Sequence, residues 1–362
     1  MSRFINFFVK ARSFILYLSN NFDLIFILKL FFIVIKKDYS KYPKYVKNFE
    51  DNFAETFDKK YCLTFSSGTA AFYASLTSLN LKKNSKVLIS LLTFPTVIEV
   101  LKMKGFQIYF FDLNRNFKIN ENIIKKYKYD LLVVTHPFGF YLDYKILKKY
   151  LKNDCKIIFD SSHSQGIKIG NTNHMKFSDI SFVSMQGNKS ISGGEGGAIL
   201  TNNQDLYLNM INNHHPGHKK NKMLKTAGGI RNLKLRIHPL AALLAHNDLK
   251  TFNQRNSILI NKVKLIYSYL DELKILHPYS DESNIGGFHY GLPFFTKRKI
   301  KSKIITKYNW YFDLKLNGIM PISKNKDKNI FQEMHFIDLE WIKKNDIIKI
   351  KNSLKKLLTY DY

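Results

Sequence analysis

Residues 61–79 read YCLTFSSGTAAFYASLTSL and combine an apolar run, a few small residues and a helical stretch. The run Tyr61–Phe65 predicts a strand, and the stretch from Ala70 to Leu79 predicts a helix soon after it. Such a junction leaves the N–H groups of the first helical turn free, and these groups bind phosphate well. Ser and Thr at 66–69 also suit a plain helix cap, so the motif alone leaves both interpretations open.

The strand–helix pattern recurs along the chain. Short β-rich runs alternate with helical stretches and end in polar or reactive residues; these runs are Lys86–Ser90, Gln107–Asp112, Leu131–Thr135, Lys156–Asp160, Ile180–Ser184 and Ala198–Thr201. The alternation predicts an α/β fold with a mainly parallel central sheet covered on both faces. Ligands of such sheets bind beyond the carboxyl ends of the strands.

The pattern divides the chain into three parts. We expect a basic, hydrophobic N-terminal extension over residues 1–45, a large domain over 46–255 and a small C-terminal α+β domain over 256–362. Helices are predicted for Tyr45–Phe57, Pro239–Leu265 and Asp346–Leu358, and a weak strand for Gly287–Pro293.

Polar residues interrupt the apolar run of the extension too often for it to span a membrane. Its longest clean apolar run, Leu30 to Ile35, is far shorter than the ~20 residues that a spanning helix needs. No small-residue cleavage site follows, which argues against a secretory signal. We expect its apolar faces to pack on the body of the protein or on a partner subunit. Peripheral membrane contact through residues 1–40 is the alternative, because the segment is basic and aromatic.

Composition limits the partners. The net charge of +29 first suggests nucleic acid, but arginine supplies only seven of the 57 basic residues. Proteins that read phosphate backbones favour arginine, so we expect no nucleic-acid partner and regard the charge as solvated lysine. The two cysteines, Cys62 and Cys155, have neither disulfide nor metal-ligand spacing. We therefore expect no metal site and a cytoplasmic protein.

Lys189 stands out among many lysines by its neighbours. Residues 184–189 read SMQGNK, and residues 193–197 read GGEGG, so the lysine lies between a strand and a glycine cluster. A catalytic amine must lose its proton before it attacks a carbonyl, which requires a confined, partly desolvated site. In a chain this rich in lysine, the context alone does not decide the matter.

Two further strand ends carry candidate groups. Asp160 ends an apolar run, and a buried acid there needs a cationic partner such as a pyridinium nitrogen. His163 could hydrogen-bond or stack on that ring, or could be an ordinary structural histidine. Phe94, in residues 93–96 (TFPT), could stack on a flat heterocycle or pack in the core.

Taken together, these motifs resemble the DegT/DnrJ/EryC1/StrS family of sugar aminotransferases, which have the fold of type I pyridoxal-phosphate (PLP) enzymes. The resemblance runs in order from about Phe49 to Arg255. Its motifs are the FE-x-x-FA helix (49–54), SGTAA (67–71), LTF (92–94), Asp112, HPFG (136–139), D-x-x-H (160–163), S-x-x-x-x-K (184–189), GEGG (194–197) and KLRIHPLAA (234–242).

The resemblance implies a role for each matched residue. Lys189 would form a Schiff base with PLP and shuttle a proton, and Asp160 would pair with the pyridine nitrogen. The phosphate would be held by the SGT loop (Ser67, Gly68, Thr69) and by Ser184, while Phe94 and His163 would lie against the ring. Lys234 would reach the phosphate bound by the neighbouring subunit of a homodimer. Candidate substrate contacts are Glu195, His214 and His215.

Three departures from the family pattern bear on function. His163 replaces a common glutamine, Lys234 replaces a common asparagine, and the extension has no counterpart. Relatives that dehydrate carry histidine in place of the Schiff-base lysine, so Lys189 favours transamination.

The resemblance therefore predicts amination of a nucleotide-linked keto-sugar for surface polysaccharide or glycoconjugate synthesis, with glutamate as the amino donor. One alternative is a PLP enzyme of this fold with another substrate or reaction. Another is a catalytically inactive membrane-surface or assembly protein that kept the fold.

Overall fold

The fold is known from a computed structural model that describes residues 24–35, 42–121, 124–214, 233–297, 300, 302–307 and 333–359. Its helices are α1 (Leu24–Ile35), α2 (Tyr42–Thr56), α3 (Gly68–Ser78), α4 (Pro95–Met103), α5 (Gln204–His214), α6 (Pro239–Glu272), α7 (Leu339–Lys344) and α8 (Ile347–Thr359). Its strands are β1 (Tyr61–Phe65), β2 (Lys86–Ser90), β3 (Gln107–Leu113), β4 (Ile119–Asn120), β5 (Tyr129–Thr135), β6 (Leu151–Asp160), β7 (Lys168–Ile169), β8 (Thr172–Asn173), β9 (Ile180–Ser184), β10 (Gly197–Thr201), β11 (Gly291–Phe295), β12 (Ile305–Lys307) and β13 (Met334–Asp338).

An eight-stranded sheet in the order β1-β10-β9-β6-β5-β2-β3-β4 forms the centre of the described chain. Strands β3, β2, β5, β6 and β9 are parallel, whereas β10, β1 and β4 pair antiparallel at the two sides. The central strands are continuous apolar runs because helices and loops cover both faces. The prediction of an α/β fold with a mainly parallel sheet is confirmed.

The carboxyl ends of the parallel strands lie at one edge of the sheet. Thr135 on β5 pairs with Asp160 on β6, and Asp160 pairs with Phe182 on β9. Strand β6 begins at Leu151, earlier than predicted, because Leu151 pairs with Tyr129 beyond an irregularity in the register. Asp160 ends β6 opposite Phe182, and β9 continues for two more residues to its last residue, Ser184.

The C-terminal part differs from the sequence prediction in two places. Helix α6 runs to Glu272 rather than Leu265, because its apolar face continues through Ile266, Tyr267 and Leu270, all fully buried. The strand predicted at Gly287–Pro293 exists but begins later, since β11 runs from Gly291 to Phe295. Gly287 has a φ of +68°, and a Cβ there would lie 2.4 Å from the Gln165 nitrogen, so the segment approaches the large sheet instead of extending.

Helix α1 lies on the start of α6. Phe26 and Ile33 are buried against Leu243, as expected for an extension that packs on the body. The opposite side exposes large apolar side chains, namely Leu28, Phe31, Phe32 and Ile35. None of the described helices is long and apolar enough to cross a membrane. Most of the predicted membrane-contact segment 1–40, namely residues 1–23 and 36–40, lies outside the described residues.

Helix α2 fixes β1 through both apolar and polar contacts. Phe49, Phe53 and Phe57 are fully buried, which confirms the apolar face predicted from their four-residue spacing. Between them, the Glu50 carboxyl accepts hydrogen bonds from the Thr64 backbone nitrogen (2.8 Å) and the Thr64 hydroxyl (2.7 Å). Burial raises the pKa of Glu50 from 4.5 to about 7, and these two hydrogen bonds oppose the rise.

Glu50 should make stability depend on pH. Since its folded pKa lies above its unfolded value, the folded state holds the extra proton, and the free energy of unfolding should fall as pH rises from about 4.5 to about 7. The loss should be on the order of 3 kcal/mol, at 1.36 kcal/mol per pKa unit. Glu50→Gln, which keeps an acceptor oxygen, should flatten this dependence in urea unfolding. The matched control Glu55→Gln, on an exposed position of α2, should leave the slope unchanged. Equal slopes in wild type and Glu50→Gln would contradict the assignment.

Candidate active site

A cavity of about 310 Å³ opens at the carboxyl edge of the parallel strands. It brings together most of the residues predicted from the sequence. Those that line it are Ser67, Gly68, Thr69, Phe94, Asp160, His163, Ser184, Lys189 and Glu195. These residues come from five separate loops and strand ends, so the fold rather than the sequence order assembles them.

One end of the cavity suits an anionic group. Helix α3 begins there at Gly68, and the Ser67 hydroxyl accepts a hydrogen bond from the Ala70 nitrogen at 3.0 Å. The serine is therefore the helix cap, and Gly68 and Thr69 of the first turn line the cavity. A Cβ at Gly68 would lie 2.9 Å from the Cβ of Ser184, so glycine lets the hydroxyl-bearing end of β9 approach this turn. Gly68, Thr69 and Ser184 thus line one end of the cavity, which we call the cradle, and a helix N terminus of this kind suits a phosphate.

Asp160 is buried at the end of β6. Its Oδ1 accepts a hydrogen bond from the Ser162 nitrogen at 3.0 Å. Burial raises the pKa of this carboxyl, while its bonds to Ser162 and the charge of Lys189 lower it again. A carboxyl in this position is stabilised as an anion by any further cationic N–H that enters the cavity.

Lys189 lies opposite, in the turn after β9. Burial lowers the pKa of its amine from 10.5 to about 8, and the charge of Asp160 opposes that shift. The lowered pKa leaves a larger fraction of this amine unprotonated near neutral pH than an exposed lysine would have, and only the unprotonated amine is a nucleophile. The Nζ atom lies 3.0 Å from Nε2 of His289, within hydrogen-bond distance. This local environment satisfies the requirement inferred from the sequence, namely confinement with partial desolvation.

The buried residue Gln165 joins the end of β9 to the turn that carries Lys189. The Gln165 amide nitrogen donates to the Ser184 carbonyl at 2.9 Å, and its oxygen accepts from the Ile191 nitrogen at 3.1 Å. It thus links the last residue of β9 to the chain just after Lys189. From the other side, Asp248 on α6 accepts a hydrogen bond from the Ser192 nitrogen at 2.9 Å.

The glycine cluster after Lys189 makes room for close backbone contacts. A Cβ at Gly197 would lie 2.3 Å from the Ser67 carbonyl oxygen, and one at Gly193 would lie 2.6 Å from the Ala241 carbonyl oxygen. Strand β10 can therefore pass directly beneath the loop that precedes α3. The cluster shapes the cradle instead of touching a ligand by itself.

A family comparison agrees with this geometry. A model of the DegT/DnrJ/EryC1/StrS aminotransferase family matches residues 30–308. The chain belongs to this family. Among curated proteins, "GDP-perosamine synthase" of Escherichia coli O157:H7 is 29% identical over 170 residues, which make up 45% of this chain and 46% of that protein. The chain thus spans about half the length of this relative.

Two other proteins extend the comparison. The "UDP-4-amino-4,6-dideoxy-N-acetyl-beta-L-altrosamine transaminase" of Campylobacter jejuni is 25% identical over 251 residues, 65% of this chain and 63% of that one. A solved structure of E. coli GDP-4-keto-6-deoxy-D-mannose-3-dehydratase with bound hydrated PLP has a TM-score of 0.75 at 17% identity. It covers 93% of this chain and 97% of that one, which identifies the fold as that of type I PLP enzymes.

Some predicted residues lie elsewhere. Lys234 is exposed and does not line the cavity of its own chain, so its predicted role stays a prediction about a neighbouring subunit. His214 is the last residue of α5, but its side chain is outside the described residues, as is all of His215. Their predicted contacts with substrate also stay predictions. Phe94 lines the cavity with 45% of its surface exposed, so it is available to stack on a ligand.

Sequence reasoning missed His289, Tyr290 and Gln165. The first two line the cavity from the segment before β11, which the sequence analysis placed in a strand. The adjacent glycines Gly286 and Gly287 were the available signal, since both have positive φ and allow the segment to approach the cavity. Nothing in the sequence distinguishes Gln165 from other glutamines.

Replacing Gln165 by methionine should destabilise the protein. The substitution keeps the size of the side chain but leaves the Ser184 carbonyl and the Ile191 N–H buried without this partner. Each such group costs about 1–3 kcal/mol, so the melting temperature should fall by several degrees. The control Gln204→Met, at an exposed position of α5, should change it little. If both variants melted together, Gln165 would not be the link described above.

Proposed function

We propose that this chain is a PLP-dependent aminotransferase that converts a nucleotide-linked keto-sugar into the corresponding amino-sugar. The observation that carries the proposal is the shared cavity, in which the Lys189 amine and the buried Asp160 carboxyl face the N terminus of α3. An amine of lowered pKa, an anion and a phosphate cradle are the three groups that PLP requires.

The residues present fit this cofactor. The cradle of Gly68, Thr69 and Ser184 would hold its phosphate, and Asp160 would pair with its ring nitrogen, giving the buried carboxyl the cationic partner it needs. Phe94 and His163 would lie against the ring. When bound, PLP withdraws electrons from the carbon that carries the amino group, so that carbon exchanges a proton readily.

Lys189 supplies the remaining chemistry. Its Nζ would hold the cofactor covalently and, once released, take up and return a proton beside the substrate carbon. A pKa of about 8 suits both tasks, because the amine gains and loses a proton near neutral pH. A lysine here also favours transamination over dehydration, since dehydrating members of the family resemble this chain but carry histidine at this position.

The substrate class is supported by the named relatives. One is a GDP-perosamine synthase and another a transaminase of a UDP-linked amino sugar, so both names contain a nucleotide-linked sugar. The basic surface of the chain would attract such a diphosphate. We propose glutamate as the amino donor, a cytoplasmic location, and a product that enters a surface polysaccharide or glycoconjugate.

The same proposal includes the architecture of the whole enzyme. We propose a large domain over residues 46–255 and a small one over 256–362, with the extension 1–45 packed on the first. A homodimer would complete the site, because Lys234 is exposed on its own chain and could reach the phosphate cradle of the partner.

Absorption spectroscopy tests the cofactor role. Wild-type protein with added PLP should show a visible band that glutamate bleaches, and Lys189→Ala should lack this band. Amino transfer should fall by roughly 10²–10⁴-fold or more, because the proton carrier is lost. The control Lys168→Ala, at an exposed position of β7, should behave as wild type.

Each other outcome has a defined meaning. A wild type without the band, even in excess PLP, would overturn the proposal and favour an inactive protein on this fold. A band without transfer to nucleotide-linked keto-sugars would indicate the same cofactor with another substrate or reaction.

Subunit mixing tests the shared site. Lys234→Ala should weaken PLP binding and lower activity, and Lys189→Ala should be inactive. A mixed dimer of these two variants should regain activity, because one of its two sites combines an intact Lys189 with an intact Lys234 from the other chain. Mass spectrometry of the mixed dimer gives its amount. Absence of any recovery in a confirmed mixed dimer would exclude the trans role of Lys234.

A further inference from the structure

His289 reaches the cavity from a part of the chain remote from Lys189. It lies two residues before β11, which belongs to the three-stranded sheet of β11, β13 and β12. Only 6% of the surface of His289 is exposed. Its Nε2 atom is 3.0 Å from the Lys189 Nζ. The two residues are 100 positions apart in sequence, so this contact links the C-terminal part of the chain to the reactive amine.

We propose that His289 is a positioning residue for Lys189: its neutral imidazole accepts a hydrogen bond from Nζ and fixes the direction in which the amine faces the cavity. This inference rests on the proposed role of Lys189 in amino transfer. It adds a residue that neither the family resemblance nor the sequence motifs assigned.

Burial keeps His289 neutral. It lowers the pKa of His289 well below its usual range, and the positive charges of Lys189 and, more weakly, Lys343 add to the effect, whereas the backbone of Gly287 opposes it. The His163 ring packs edge-on against it at 4.4 Å between centroids, and burial lowers the pKa of His163 as well. Asp160 is the anion that acts on Lys189. A histidine in this environment accepts a hydrogen bond but stores no proton, which distinguishes positioning from acid–base catalysis.

The backbone around His289 is held independently of the imidazole. The Ser190 hydroxyl donates to the Gly287 carbonyl at 2.6 Å, and the Gly287 nitrogen donates to Asn256 Oδ1 at 2.8 Å. The first bond joins the segment before β11 to the turn that carries Lys189, and the second joins it to α6. The imidazole then accepts a hydrogen bond from one N–H of the amine, and the other substituents or the lone pair of the nitrogen are directed into the cavity. Orientation of this kind can change a rate by as much as 10²-fold.

The decisive test measures Lys189 directly in the full-length protein freed of PLP. Limiting acetic anhydride would be applied across a pH series, and acetylation of Lys189 would be quantified by peptide mass spectrometry. Replacing His289 by phenylalanine keeps a ring against His163 but removes the acceptor, so the protonated amine loses a partner. The labelling midpoint should fall by roughly one pH unit. His289→Gln, which offers a carbonyl acceptor, should stay near wild type.

A matched control separates this contact from general damage. Ser190→Ala removes another hydrogen bond between the same two segments without touching Nζ, so its midpoint should equal that of wild type. Circular dichroism and melting would verify folding, and His289→Leu replaces the phenylalanine variant if the latter is too large. An unchanged midpoint in a folded, non-accepting variant would overturn the inference. A glutamine variant that shifted as far as phenylalanine would also overturn it.

Kinetics give a second readout with a separate failure mode. The phenylalanine variant should lower kcat on the order of 10–100-fold with little change in KM for the sugar, because orientation of the amine affects the chemical step. If the wild type bound no PLP, the proposed function would fail while the labelling midpoints still reported the contact. If the wild type transferred amino groups and the midpoints were equal, only the role of His289 would fail.

Discussion

The site depends on keeping an amine and a carboxyl buried in one cavity without neutralising both. Burial disfavours the charged form of each group, whereas the charge of each group stabilises the charged form of the other. The balance leaves Asp160 in need of a further cation and Lys189 close to its neutral form. The parallel sheet sets this balance, because it places the end of β6 beside the end of β9 and therefore fixes how near the two groups lie.

Around this pair the structure separates two tasks. The edge formed by α3, β9 and β10 is rigid backbone with glycine at each close contact, which suits an invariant group such as a phosphate. The opposite wall comes from side chains, including His289 and Tyr290 from the C-terminal part and the exposed ring of Phe94. In general, backbone contacts can hold a common group while side chains on another wall change from one protein to the next, which is how one fold supports several reactions.

The sequence predicted the elements whose signal is local. The bounds of β2 and β9 equal the predicted bounds residue for residue, because each strand is an apolar run bounded by polar residues. Asp160, Ser184 and Lys189 were found because their motifs occur in a fixed order. His289 and Gln165 were not found, since their importance comes from neighbours that only the folded chain supplies: Lys189 for the first, Ser184 and Ile191 for the second. The early start predicted for β11 hid the turn that carries His289.

The packing of α1 on α6 has a consequence for the solubility of the protein. Leu243, on the first turns of α6, is only 4% exposed while Phe26 and Ile33 cover it. A surface of α6 that α1 buries can be apolar without lowering the solubility of the protein. Loss of α1 would then expose an apolar patch that favours aggregation. Shortened versions of this protein would consequently suffer in solubility before they suffered in chemistry.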